Sequence, residues 1–328
     1  MTPKKRILSG VRPTGRLHLG NYFGALENWV RLQREYDSFH FIADWHALTT
    51  DYSSGNDIRD SVVEVAFDFF AAGLDPNETT IFVQSSVLEH AELHLLFSMV
   101  TPLGWLERVP SYKELQETLE QDINTYGFLG YPVLQAADIL MYKADAVPVG
   151  EDQVAHVELT REIARRFNRL YGVKVFPEPQ ALLTKTSKLP GTDGRKMSKS
   201  YGNTIAIGDP PSKVRSDMMG MMTDPARKRR KDPGNPDACP VFAYHKVFSP
   251  QETIDEVDQG CRSAGIGCVE CKEWLFDNHQ ERLAPIYEKR LYFEEHKRQV
   301  IDALENGAER ASKVASETMS RVRDAMKL

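Results

Sequence analysis

Short apolar runs alternate with longer amphipathic stretches through the first half of the chain. Residues 6–10 (RILSG) form an apolar run closed by glycine, and residues 17–36 (LHLGNYFGALENWVRLQREY) repeat apolar positions at a spacing near 3.6. The first reads as a strand and the second as a helix. Residues 39–45 (FHFIADW) predict a second buried strand, and residues 58–73 a helix closed by Gly73. Residues 79–86 (TTIFVQSS) predict a third strand, residues 128–144 an apolar helix, and residues 145–150 (DAVPVG) a strand running into a turn. Such alternation predicts an α/β fold: a doubly wound parallel sheet covered by helices.

After about residue 205 the strand signals fade. Residues 210–224 and 232–240 bracket a breaker-rich region, and residues 250–261, 273–296 and 303–328 carry helical periodicity. The pattern divides the chain into a Rossmann-like domain over 1–205 and a helical domain over 206–328.

Composition is that of an ordinary soluble globular chain, with no apolar run long enough to span a bilayer. The opening MTPKKRILSG has no signal-like apolar region, so a cytoplasmic setting is expected. With a net charge of −6, a nucleic-acid partner would need a local basic patch, and Arg227–Lys231 is the candidate.

Two stretches carry the chemistry. In RPTGRLHLGN (12–21), Pro13, Gly15 and Gly20 let backbone approach a ligand, and the helix start offers N–H groups to phosphate. His18 and Asn21, three apart, both reach one face of that opening turn and suit a phosphoryl group. In GRKMSKSYGN (194–203), Lys196 and Lys199 flank Ser198 on a glycine-bounded loop that could close over polyphosphate. Neither is a dinucleotide fingerprint or a P-loop. Asp138, in an apolar setting, needs a hydrogen-bond donor; an indole N–H or a phenol O–H would serve.

Together the two motifs resemble the class I aminoacyl-tRNA synthetases. His18-Leu19-Gly20-Asn21 is similar to that family's H-I-G-H motif, and Lys196-Met197-Ser198-Lys199-Ser200 matches KMSKS at every position. The resemblance implies amino-acid activation by ATP with Mg²⁺ and transfer to tRNA. Tyr131, Gln135 and Asp138 follow a spacing similar to tyrosyl enzymes, which separates the two aromatic branches only by other features. Leu8, where tyrosyl enzymes carry tyrosine, Asn21, and the segments ADWHALTT and DAVPVGEDQ resemble tryptophanyl enzymes. That branch implies L-tryptophan as substrate, tRNA(Trp) as partner and a homodimer, with tyrosyl activity or a non-catalytic RNA-binding paralogue as alternatives.

The resemblance assigns His18, Asn21, Lys196 and Lys199 to catalysis. It places Arg12, Pro13, Thr14, Gly20, Asn21, Gly150, Glu151, Asp152, Leu189 and Lys196–Ser200 at ATP. Leu8, Gly10, His46, Tyr131, Gln135, Asp138 and Gln153 fall to tryptophan, and Lys113 lies where many relatives keep an ATP-side lysine. The four cysteines, Cys239, Cys261, Cys268 and Cys271, contain one C-x-x-C pair and admit a zinc site or an iron–sulfur cluster. They resemble the subset of tryptophanyl enzymes with a [4Fe–4S] cluster.

Overall fold

The computed structural model describes residues 4–52, 57–109, 125–183 and 189–328. One parallel sheet of five strands has the order β3-β2-β1-β4-β5. The strands are β1 (Arg6–Val11), β2 (Asp37–Ile42), β3 (Thr80–Val83), β4 (Ala146–Val149) and β5 (Gln180–Leu183). The first four coincide with the apolar runs; β5 follows a proline-containing stretch and has no fully buried residue, so it left no pattern. β2 ends at Ile42 rather than at Trp45, because Asp44 opens a helix. Its carboxylate accepts from the backbone of Trp45 and Ser85 and turns the chain.

Between the strands run α1 (Leu19–Asn21), a π-helical turn (Tyr22–Leu26), α2 (Glu27–Leu32), α3 (Asp44–Asp51) and α4 (Ile58–Ala72). They are followed by α5 (Glu89–Val100), α6 (Leu103–Leu106), α7 (Tyr126–Met141) and α8 (Val154–Tyr171). The helix expected over 17–36 is shorter, running from Leu19 to Leu32, and locally widened at Tyr22–Leu26. Asp57 caps α4, and Gly73 ends it in the left-handed conformation, as the sequence indicated for that glycine.

Beyond the sheet lie α9 (Pro211–Gly220), α10 (Pro240–Phe248), α11 (Gln251–Arg262), α12 (Cys268–Glu295) and α13 (Lys297–Met326). α9 opens the region read as breaker-rich: Pro211 sits at the helix start, where no N–H is needed, and Val214 and Met218 are buried.

Two apolar layers cover the sheet. One joins Leu8, Phe39, Phe41 and Phe82 to α5, α7 and α8, and also to Ala311, Ala315, Met319 and Val322 of α13. The other joins Ile42 and Ile81 to the α1–α2 region, α4, α9, α10 and α12. α13 therefore returns to the sheet. A Cβ on Gly307 would lie 1.7 Å from the Ile81 carbonyl oxygen, so only glycine permits this contact. Strand order reverses between β1 and β4, and ligands of such sheets bind where those two strands end. Arg12 follows β1 and Gly150 follows β4, which marks the candidate site.

Candidate active site

The turn after β1 is built to present His18. His18 caps α1: its Nδ1 accepts from the Asn21 backbone at 3.2 Å, and Asn21 Oδ1 accepts from the His18 backbone at 3.1 Å. A ring accepting at Nδ1 carries its proton on Nε2 when neutral. Burial, reinforced by the Lys199 charge, lowers the His18 pKa to about 4. His18 is therefore a neutral imidazole near pH 7, with Nε2–H as its donor.

The second motif meets this turn directly. Met197, buried, accepts from the Gly20 backbone N–H at 3.3 Å through its sulfur. Lys199 Nζ donates to the Thr14 carbonyl at 2.8 Å and lies 3.2 Å from the Thr14 hydroxyl. Burial lowers the Lys199 pKa to about 8, against the charge of Asp68. Lys196 is exposed, Leu189 is buried in the second apolar layer, and the Ser198 and Ser200 hydroxyls lie 2.8 Å apart. Lys113 falls outside the described residues.

Asn203 was not singled out by the sequence, yet it shapes this loop. Its Oδ1 accepts from Ser198 N at 2.8 Å, and its Nδ2 donates to Asp193 Oδ1 and the Lys196 carbonyl at 2.7 and 3.1 Å. It is 2% exposed. A Cβ on Gly191 would come within 2.2 Å of its Nδ2.

Asp138, on α7, is wholly buried and accepts three hydrogen bonds. Its Oδ2 faces His46 Nε2 at 2.7 Å; its Oδ1 faces His90 Nδ1 at 2.6 Å and Gln84 Nε2 at 2.8 Å. Burial pushes the carboxyl up, but the hydrogen bonds from His46 and His90 and their charge outweigh it and hold it at about 2. His90 Nε2 in turn meets the Tyr142 hydroxyl at 2.7 Å. Gln84, His90 and Tyr142 are buried residues that sequence reasoning missed, since each reads as apolar-core context. Tyr131 and Gln135 share the Asp138 side of α7 and are half-buried; the Tyr131 hydroxyl meets His156 Nε2 at 3.2 Å.

Leu8 packs in the first apolar layer, and Gly10 makes room for Phe41, whose ring a Cβ would approach to 2.7 Å. After β4, Gly150 opens a helical turn whose Asp152 and Gln153 side chains hydrogen-bond at 2.8 Å. A Cβ on Gly150 would crowd Asp152 Oδ1 at 2.8 Å.

Cys239, Cys261 and Cys271 pack against one small apolar group of Phe242, Val257 and Ile266 in the helical half, and Cys268 lies near Cys271. Cys268 and Cys271 lie on the first turn of α12, Cys239 precedes α10 and Cys261 ends α11. Burial, then the neighbouring thiols, push Cys271 up to about 12. Among the described residues, however, no group of three or more His, Cys, Asp or Glu side chains is arranged to hold a metal ion. The basic run also differs from expectation at its start. Arg227 is 9% exposed and turns inward, donating to the carbonyls of Arg230 and Ile266 and reaching Cys261 Sγ at 3.8 Å.

Residues 2–284 match the family model described as tRNA synthetases class I (W and Y). A tryptophan–tRNA ligase of Thermotoga maritima is 55% identical over 98% of this chain and 99% of its own. One from Deinococcus radiodurans is 48% identical over 97% of each. A tryptophanyl-tRNA synthetase of Campylobacter jejuni, solved with ADP and tryptophan, superposes with a TM-score of 0.87. It is 34% identical and covers 98% of this chain and 100% of its own.

Proposed function

The chain belongs to the class I tRNA synthetases of the tryptophan and tyrosine type, on the tryptophanyl branch, and from that premise we propose how its residues divide the work. The reaction is ATP-dependent activation of L-tryptophan to its adenylate, followed by transfer to tRNA(Trp). A tryptophan carboxylate oxygen bonds to the α-phosphorus while the bond from that phosphorus to the bridging oxygen breaks. Pyrophosphate leaves with the electron pair; the tRNA ribose hydroxyl later displaces AMP. No protein nucleophile is required, so the enzyme contributes position and charge.

His18 donates Nε2–H to a phosphoryl oxygen, and Asn21, its Oδ1 already engaged, offers its amide N–H groups. Lys199 gives up Thr14 for the leaving pyrophosphate, joined by Lys196 as the loop adjusts. Mg²⁺ carried on the phosphates supplies further charge neutralisation. Arg12, Pro13, Thr14, Gly20 and the Gly150–Asp152 turn line the nucleotide side. The single observation that carries tryptophan specificity is Asp138. Buried, ionised and acceptor-only, it already accepts from His46, His90 and Gln84, and it suits one further donor, the indole N–H. Pyrophosphate exchange with tryptophan, tyrosine and phenylalanine tests this. Exchange with tryptophan alone is expected. Exchange with tyrosine would support the tyrosyl alternative, and exchange with none a non-catalytic paralogue.

Residues 1–205 form the catalytic part and 206–328 contain the anticodon-reading part. Exposed Leu95 and Met99 on α5, with Leu88 just before the helix and Leu103 just after it, support a homodimer, testable by light scattering. No helix among the described residues is long and apolar enough to cross a membrane, and the reaction belongs with translation in the cytoplasm. The four cysteines fit a thiolate-only centre in residue type and location, with [4Fe–4S] favoured over zinc; their present arrangement would have to tighten around it. Such a centre would tie α10, α11 and α12 together. A brown, blue-absorbing protein is expected, and a colourless one with bound zinc would reverse the choice.

A further inference from the structure

Asp68 is completely buried in α4, and Arg290, in α12, is 1% exposed. Neither belongs to the motifs, and they come from opposite halves of the chain. Arg290 Nη1 bonds Asp68 Oδ1 and also donates to the Glu64 carbonyl at 3.1 Å; its Nη2 pairs with Glu64 Oε2, and its Nε with Glu294 Oε1 at 2.9 Å. The second oxygen of Asp68 is not idle. It accepts the backbone N–H of Leu17, immediately before His18, at 2.6 Å.

The same pair reaches the chain that leaves the second motif. Leu17–Leu19 and Ile205–Ile207 pair as antiparallel backbone: Leu19 N donates to Ile205 O, and Ile207 N to Leu17 O, each at 2.9 Å. The next residue is Gly208. A Cβ there would lie 2.1 Å from Arg290 Cδ, so the guanidinium passes through space that only glycine leaves open. Arg16 extends the network to Glu64 at 2.9 Å and Glu294 at 3.5 Å.

We propose that Asp68 and Arg290 are positioning residues for the adenylation reaction. Arg290 fixes the Asp68 carboxylate, Asp68 fixes Leu17, and Leu17 sets where His18 stands relative to the loop bearing Lys199. A buried ion pair is a poor device for stability alone, since apolar replacements are often as stable. It does fix orientation, because the guanidinium fork and the carboxylate each have defined directions. Through α12 this pair also couples the helical half to the ATP site. The inference rests on the adenylation reading given above.

Two double variants separate the roles, both free of a stranded buried charge. The apolar double, Arg290→Met with Asp68→Leu, removes the pair and the Leu17 acceptor. The amide double, Arg290→Met with Asp68→Asn, keeps an acceptor. Tryptophan-dependent pyrophosphate exchange is measured for both beside the native enzyme. The apolar double should lose about tenfold or more in kcat, with tryptophan KM within about twofold of native. The amide double should recover most of that loss. Equal kcat in both doubles, or native kcat in the apolar double, overturns the proposal. Should the apolar double not fold, Arg290→Lys serves: it keeps the charge without the fork, and kcat should drop severalfold, whereas native kcat overturns the proposal. Absence of exchange in the native enzyme would instead refute the adenylation reading.

Discussion

Lys199 and Thr14 stand 185 positions apart in sequence, yet the Lys199 ammonium donates to the Thr14 carbonyl at 2.8 Å. The loop after residue 190 is thereby docked on the turn after β1 before any nucleotide contributes. Lys199→Ala should lower kcat for pyrophosphate exchange about 10²–10³-fold, while tryptophan affinity changes little. Exchange kinetics beside equilibrium tryptophan titration check this. Equal loss in both would mean that the lysine holds the fold rather than the leaving group.

The same residue sets a pH limit. Burial lowers the Lys199 pKa to about 8, so its ammonium is intact below that pH and discharged above it. kcat/KM for ATP reports the free enzyme and should fall as pH rises through about 8. Lys199→Arg should remove that limb, because a guanidinium stays charged throughout. His18, lowered to about 4, should leave no inflection near 6.5. An inflection that disappears in His18→Gln would refute the neutral-donor role.

Asp138 predicts both a specificity and a stability effect. Asp138→Asn turns an amide N–H₂ toward a ring of donors. It should raise tryptophan KM about 10–10²-fold and cost about 1–3 kcal/mol in stability. Since the folded carboxyl is depressed from 3.8 to about 2, its ionised-state contribution is present above about pH 4 and lost as pH falls toward 2. The gap in melting temperature between native and variant should therefore narrow over that window. A constant gap would assign the loss to shape.

Why some of this was readable in sequence and some was not follows from how each residue acts. His18 and Asn21 share one turn and Lys196–Ser200 one loop, so within each set the residue types stand next to one another on the chain, although the contacts that join the two sets do not show there. The parallel sheet was legible for the same reason: β1 to β4 are buried on both faces and leave apolar runs. Gln84 and His90 act across the fold on Asp138, where no short window shows the partner, whereas Asn203 bonds within its own loop but follows no motif spacing that marks it. Arg290 is the clearest case. It lies in a stretch rich in Glu, Lys and Arg that reads as a solvated helix face, yet the α4 carboxylates bury it.

Asn203 gives a test of loop shape apart from charge. Asn203→Ala removes the acceptor for Ser198 N and the donor to Asp193 and the Lys196 carbonyl. A small cost of about 1–3 kcal/mol in stability is expected for the groups left unpaired. The larger effect should be on ATP: KM for ATP rises and kcat falls, because Met197 and Lys199 lose their placement against Gly20 and Thr14. Tryptophan KM should stay near native. A uniform change in both substrates would show that Asn203 supports the whole domain instead.

Gly307 tests whether the last helix is part of the catalytic half. On Gly307→Ala the new methyl would meet backbone only, 1.7 Å from the Ile81 oxygen and 2.7 Å from its carbon. No side chain can rotate away, so α13 must lift from β3, pulling Ala311 and Ala315 from the first apolar layer. The cost should be about 3 kcal/mol or more, read as a large drop in melting temperature. Gly220→Ala is the control. It lies in α9 with open space where the methyl would sit, and alanine favours helix there. If Gly307→Ala melts within a degree or two of this control, α13 does not bear on the sheet in solution. A drop confined to Gly307→Ala, with pyrophosphate exchange lost in the same temperature range, would show that the C-terminal helix unfolds together with the sheet it covers.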